Sequence, residues 1–331
     1  MFTFNKPLVS VVLASYNHVK FIKKAVASVL DQTYKNLELI VLDDGSTDGT
    51  PDIVEEIHDS RLKLIKLSPN RRFHPRNLGV KMAKGKYIAF QNSDDVWMPA
   101  KLKLQIDWME KNRQTSICFT KLKVINEKNK EIKRSWAHTN LADGNKNNDA
   151  WLRLLFYSGI NFGIASAVVR RDMINKIGGF CENMVQLADY DLWVRLLGLG
   201  QIYIVNETLT EMRLIKGVNL SNPKKEVLFR CTLENLDVLN RYTQWPINKY
   251  LDNIFPDIMP KNTNSIYVKY AALARFAWSL NTPRHQLFAD QLVAELLNSK
   301  KSSKEILEYF GAELKKEYIR RRGKLEILIH K

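Results

Sequence analysis

Along the first ~120 residues, short uninterrupted apolar runs alternate with stretches whose apolar positions recur every three or four residues. That alternation is the pattern of a parallel sheet covered by helices. Leu8–Ala14 reads as a first strand and Phe21–Leu30 as a helix with Lys20, Lys23 and Lys24 on its polar face. Leu37–Leu42 reads as a second strand running into Asp43-Asp44-Gly45-Ser46, after which Thr50-Pro51-Asp52 offers a hydroxyl cap, a first-turn proline and a favourably placed carboxylate. Leu62–Leu67 alternates with lysines and suits an edge strand. Pro75–Lys84 predicts a helix stopped by Gly85, and Lys86–Phe90 a buried strand ending at Gln91-Asn92-Ser93-Asp94-Asp95. A helix from Pro99 to Met109 and a strand at Ile117–Phe119 follow, then a polar surface excursion from Asn126 to Asp149. The apolar pattern resumes at Trp151–Tyr157, with a strand at Ala165–Val169 and a helix at Asp189–Leu197. Beyond Pro223 the pattern is helical, including a hairpin of Ile266–Leu280 and His285–Leu297. The expected organisation is a domain over 1–220 and a helical, basic region over 221–331.

Two of these strands end in paired aspartates, Asp43-Asp44 and Asp94-Asp95. In an open α/β sheet the carboxyl ends of the strands form the ligand crevice, so four carboxylates are expected at one rim. Crowded carboxylates raise one another's pKa, which calls for a cation or a donor between them. Mg or Mn suits oxygen ligands, and a phosphate-bearing substrate suits the ion. Such pairs also serve simply as turn makers. No Gly-x-Gly-x-x-Gly follows the first strand, which ends in Ala14-Ser15-Tyr16-Asn17-His18, and there is no P-loop.

Composition narrows the partners. The 331 residues are 45% apolar and 26% charged, an ordinary globular balance, with a formal charge of +16 spread along the chain. The segment Lys315–Lys324 sets six cations against Glu317 alone. A basic balance fits nucleic acid, anionic headgroups or phosphorylated substrates alike. Cys118, Cys181 and Cys231 form neither a disulfide framework nor a zinc site, which points to a reducing, cytoplasmic compartment. No run approaches the ~18 apolar residues of a spanning helix. His18, His74 and His138 have no partner spacing and are expected at the surface.

Taken jointly, Ser10–Asn17, Ala27–Tyr34, Leu42–Asp48, Arg76-Asn77-Leu78-Gly79, Gly85–Phe90, Ser93-Asp94-Asp95 and Asp189-Tyr190-Asp191-Leu192-Trp193 resemble, in order, the family 2 glycosyltransferases of the GT-A fold. The resemblance covers roughly residues 7–220. It implies a Rossmann-like, mostly parallel α/β sheet flanked by helices, here with a C-terminal helical extension. It also implies an inverting transfer of a hexosyl- or N-acetylhexosaminyl-type sugar from a nucleotide-diphosphate donor, UDP-linked by preference, to a glycan or lipid-linked acceptor of surface polysaccharide or lipopolysaccharide synthesis. Ala14, Ser15 and Tyr16 would hold base and ribose, Tyr16 by stacking unless it is an ordinary core aromatic. Asp44 would accept a hydrogen bond from the base, and Arg76 would lie near the donor phosphates. Asp94 would contact ribose or metal, Asp95 would ligate Mn2+ or Mg2+, and Asp189 would be the base, a role compatible with capping its helix. Arg213 and Lys216 would add cations to a diphosphate clamp, or belong to a solvated basic loop.

The pattern is broken where relatives carry an aspartate and this chain has Asn92, and where a histidine would follow Arg213 and this chain has Ile215 and Lys216. The basic, apolar C-terminus would hold the enzyme on an anionic membrane at the cytoplasmic face, or serve as a solvated helix or contact in a homo-oligomer. Rival readings are a basic nucleic-acid-binding protein, which lacks a recognisable module and carries a repelling acidic rim, and a catalytically silent scaffold of the same fold. No nucleic-acid partner is expected.

Overall fold

A computed structural model describes residues 6–67, 75–133, 144–159, 162–215 and 225–329, with side chains as far as Arg322. The chain divides into two compact units, Met1–Val227 and Leu228–Lys331.

The first unit is a mixed sheet between two helical layers. Its strands are β1 (Val9–Ser15), β2 (Leu37–Asp43), β3 (Leu62–Lys66), β4 (Tyr87–Asn92), β5 (Val96–Trp97), β6 (Thr115–Ile125), β7 (Val168–Arg170) and β8 (Gln201–Arg213). They lie in the order β3-β2-β1-β4-β7-β6-β8-β5. The first four are mutually parallel, with Ser15 beside Asp43 and Ala14 beside Asn92. β7 runs antiparallel to β4 and β6, β8 parallel to β6, and β5 antiparallel to β8. The helices are α1 (Ile22–Leu30), α2 (Thr50–Glu55), α3 (Pro75–Met82), α4 (Lys101–Lys111), α5 (Asn148–Ser158), α6 (Arg171–Lys176) and α7 (Ala188–Leu197).

Parallel strands buried on both faces read as continuous apolar runs, which is why β1 and β2 were so plain. Val9, Val11 and Leu13 of β1 join Leu39 and Val41 of β2 and the inner faces of α1, α2 and α4 in one core. On the other face α3 packs on β1 and β2, α7 on β6, and α5 on α7. There Phe119 stacks on Phe162 and meets Trp193 edge-on. Gly79 lets α3 approach closely: a Cβ at that position would lie 2.4 Å from a Val12 methyl and 2.8 Å from a Leu42 methyl. That contact seats the first turn of α3, with Arg76, at the carboxyl ends of the strands.

Several features differ from the sequence expectations: β5 has no counterpart among them, and the segment expected as a strand at Ala165–Val169 is a 3-10 turn at Ile164–Ser166 followed by β7. β6 extends from Thr115 to Ile125, well beyond Ile117–Phe119, because its outer half pairs with β8. β8 carries no clear strand signal in the sequence, since register shifts and exposed Asn206-Glu207 interrupt its period-two pattern. Thr50 does not cap α2. Gly49, left-handed at φ 89°, holds that position, and the Thr50 hydroxyl accepts from the His18 N–H at 2.9 Å.

The second unit is helical, with α8 (Lys225–Asn240), α9 (Leu251–Ile254), α10 (Ile266–Ser279), α11 (Pro283–Asn298), α12 (Lys300–Phe310) and α13 (Glu313–Ile329). α10 and α11 form the expected hairpin, tied where Trp278 Nε1 donates to Asp290 at 2.8 Å. No helix of the described residues is long and apolar enough to cross a membrane.

Candidate active site

Because β1, β2 and β4 are parallel neighbours, their final residues share one rim. The two acidic pairs there play different parts. Asp43 makes the turn, accepting the Ser46 N–H at 2.8 Å and the Ser46 hydroxyl at 2.6 Å. Asp44 is buried, and its N–H donates to the Ser15 carbonyl at 2.8 Å, which brings the second residue of the pair against the end of β1. Ser15 is also buried, and its hydroxyl has no hydrogen-bond partner among the described residues. Tyr16, 44% exposed, stands at the lip and is no core aromatic. Ala14 is half-buried just inside.

The loop after β1 is fastened to this acidic turn. Asn17, left-handed at φ 51°, accepts from the Thr47 N–H at 2.9 Å and donates its own N–H to Ser46 Oγ at 2.8 Å. The Val19 N–H donates to Asp48 at 3.0 Å.

The second pair sits in a denser setting. Asp95 accepts the Arg213 backbone N–H on one oxygen and the Asn92 amide on the other, both at 2.8 Å. Asn92 in turn accepts from Arg76 Nη2 at 2.8 Å. Arg213 is 2% exposed, and its guanidinium donates to the carbonyls of Asp94 (2.9 Å) and Asn126 (2.6 Å) and to Asn129 Oδ1 (2.8 Å). It also lies over the Phe21 ring, 4.8 Å from its centre. This arginine, expected either as a clamp cation or in a solvated basic loop, is buried and donates to the carbonyls and the Asn129 side chain behind the Asp94-Asp95 turn.

Electrostatics ties the pieces together. Burial pushes the Asp95 carboxyl well above the usual range, and neighbouring Asp94 pushes it further. Asp94 is also raised by burial, against the opposing charge of His18 and then of Arg213 and Arg76. Burial lowers the Arg76 guanidinium, opposed by the charges of Asp189, Asp95 and Asp94. Arg76 is therefore within electrostatic reach of both the Asp94-Asp95 turn and Asp189. Its Nε is buried and without a hydrogen-bond partner among the described residues.

Asp189 lies in the first turn of α7, where it accepts the Tyr190 N–H at 2.8 Å. Asp191, two residues on, is fully buried and salt-bridged to Arg195, which donates to the Ile177 and Gly179 carbonyls at 2.8 Å. The two aspartates of this motif thus meet different surroundings, Asp189 the charge of Arg76 and Asp191 the Arg195 fork. Lys216, His74 and His138 lie outside the described residues. His18, expected at the surface, is half-buried, with Nδ1 2.6 Å from Ser93 Oγ. Neither His18 nor Asn92 had a spacing that marked it. Their roles arise from contacts 75 and 16 residues apart in sequence.

Among the described residues no group of three or more acidic, histidine or cysteine side chains is placed to hold a metal. Asp94 and Asp95 nevertheless suit a hard divalent ion. Both are buried oxygen donors whose charge is poorly compensated, and a diphosphate would supply further oxygens.

The sequence profile described as Glycosyl transferase family 2 matches residues 10–178, half of the chain. The chain belongs to glycosyl transferase family 2. It is 35% identical over 222 residues to a Haemophilus influenzae protein named an uncharacterized glycosyltransferase, a match spanning 63% of this chain and 66% of that protein. It is 34% identical over 243 residues to Escherichia coli WfgD, across 72% of this chain and 88% of WfgD. WfgD is named a UDP-Glc:alpha-D-GlcNAc-diphosphoundecaprenol beta-1,3-glucosyltransferase. Among solved structures, S. aureus TarS residues 1–349 in complex with UDP-GlcNAc aligns with a TM-score of 0.57 at 19% identity, covering 95% of this chain and 92% of that one. That likeness establishes the GT-A fold. Family 2 membership makes the chain a glycosyltransferase.

Proposed function

We propose that this glycosyltransferase moves a sugar from a UDP-sugar to a hydroxyl of a lipid-diphosphate-linked or glycan acceptor, with inversion at the anomeric carbon. The observation that carries the reading is the chain of bonds at the strand ends, in which Arg76 donates to Asn92 and Asn92 to Asp95, with the distant Asp189 within electrostatic reach of the same guanidinium. The names of relatives such as WfgD, which pairs a UDP-sugar with a β linkage on a diphosphate-linked acceptor, support the donor and acceptor class.

In this reading Tyr16 stacks on the base, Asp44 accepts its N–H, and the partnerless Ser15 hydroxyl bonds the nucleoside, with Ala14 packing beside it. Arg76 offers its open Nε to the diphosphate, and Asp94 and Asp95 would hold Mn2+ or Mg2+. When bound, the ion neutralises charge on the departing diphosphate. Asp189 takes the proton from the acceptor hydroxyl as its oxygen bonds to the anomeric carbon. The bond from that carbon to the diphosphate breaks, and its electron pair leaves with the diphosphate. Arg213 buttresses the Asp94-Asp95 turn. Lys216 is left as a further cation for the clamp.

The second unit carries exposed Lys315, Lys316, Arg320 and Arg322 on α13, which support contact with an anionic membrane surface where lipid-linked acceptors reside. The test of the transfer itself is Asp189→Asn. Donor affinity should stay within about threefold while transfer falls by roughly 10³-fold or more, the loss expected of a missing general base with its positioning. Transfer that persists places the base elsewhere.

A further inference from the structure

The loop after β1 is bound on one side to the acidic turn after β2, through Asn17, Val19 and the His18 N–H. On its other side the His18 ring reaches Ser93, with Nδ1 2.6 Å from Ser93 Oγ. Ser93 is 2% exposed and immediately precedes Asp94. The ring also stands edge-on to Phe21, 6.2 Å between centres, and Phe21 carries the Arg213 guanidinium that holds the same turn. With its backbone N–H anchored on Thr50 and its ring set between Phe21 and Ser93, His18 is pinned at both ends. A preorganised bond of this kind fixes a distance before any ligand arrives.

We propose that His18 is a positioning residue for the donor: by bonding Ser93 it sets the spacing between the nucleoside half of the pocket, Ser15 and Asp44, and the diphosphate half, Asp94 and Asp95. The proposal rests on the donor-site reading above. A ligand that spans both halves gains from a fixed spacing, whereas one that stops short of the second phosphate gains much less.

Calorimetric titration with UMP and with UDP, both with Mn2+, separates these effects. His18→Ala should weaken UDP at least about tenfold and UMP less than about threefold, the loss expected of one preorganised hydrogen bond. Ser93→Ala, which removes the same bond from its other end, should reproduce that pattern. The double variant should lose no more than the worse single, since both delete one interaction. His18→Asn, whose side-chain amide reaches a similar point, should recover most of the UDP affinity. Equal losses for UMP and UDP, additive single effects, or no loss in either variant would overturn the proposal. Wild-type protein that binds neither nucleotide would overturn the donor-site reading itself, a result independent of how the variants compare.

Discussion

Lys101 opens α4 with no exposed surface. Its Nζ donates to Gln105 Oε1 at 2.9 Å and sits 4.0 Å from the centre of the Trp97 ring. Burial brings its ammonium down to about 7, with Cys118 a smaller opposing influence. The unfolded chain keeps a value near 10.4. Between those two values the unfolded state binds a proton that the folded state refuses, so this residue makes stability rise with pH by about 1.4 kcal/mol per unit. Above the unfolded value it costs nothing, and the penalty grows as pH falls until it levels off below about 7. At pH 8 the deficit spans roughly 2.4 units, or about 3 kcal/mol. Methionine keeps the unbranched length and removes the titration, while leaving Gln105 Oε1 short of a donor at a cost of about 1 kcal/mol. Lys101→Met should therefore be about 2 kcal/mol more stable than the parent at pH 8 and lose that advantage by about pH 10. Urea unfolding of the first unit, followed by tryptophan fluorescence from pH 7 to 10, measures both. A variant less stable than the parent at pH 8, or a difference that does not narrow with rising pH, refutes the reasoning.

Gly79→Ala should lower stability by about 1–3 kcal/mol, read as a drop in Tm, because its methyl would overlap Val12 and Leu42. Arg213→Ala should cost about 2–4 kcal/mol by stripping donors from the buried carbonyls behind Asp94, and abolish Mn2+-dependent nucleotide binding at temperatures where the variant is folded. Arg213→Lys should recover little of this, since an ammonium cannot reproduce a planar fork of donors. Burial raises both Asp94 and Asp95, and the Asp94 charge raises Asp95 further, so bound metal must displace a proton. Mn2+ affinity should climb from pH 6 to pH 8 with measurable proton release, and a flat calorimetric profile would contradict it.

Legibility followed burial. The strands that lie between two helical layers, β1, β2 and β4, are nearly continuous apolar runs, and their ends were readable to within a residue or two. β8 was not, because its bulged, half-exposed middle obeys neither a period of two nor one of 3.6. The same divide runs through the site. Asp44, Asp95 and Asp189 stand where strands and a helix begin or end, so pattern alone could nominate them. The differing work of Asp43 and Asp44, or of Asp189 and Asp191, depends on which neighbour each carboxylate meets, and adjacency in sequence hides that. The surroundings of Arg213 are hidden in the sequence for a related reason. A cation at the end of a strand looks available until the carbonyls of a distant turn take up its donors.

Asn92 gives the departure from the family pattern a physical meaning. A guanidinium only donates and an ionised carboxylate only accepts, so a side chain bridging Arg76 to Asp95 must accept on one side and donate on the other. An amide does both. An ionised aspartate at the same position would pair with Arg76 but turn a lone pair toward Asp95, adding a third negative charge to a turn where burial already disfavours two. Asn92 thus forms a relay that ties Arg76 to Asp95 and orients the Asp95 carboxylate. On this argument Asn92→Asp, although it restores the commoner motif, should lower turnover at saturating Mn2+ by about tenfold, the scale of one misplaced charge-assisted hydrogen bond. Turnover equal to or above that of the parent would show that charge, not orientation, limits this site.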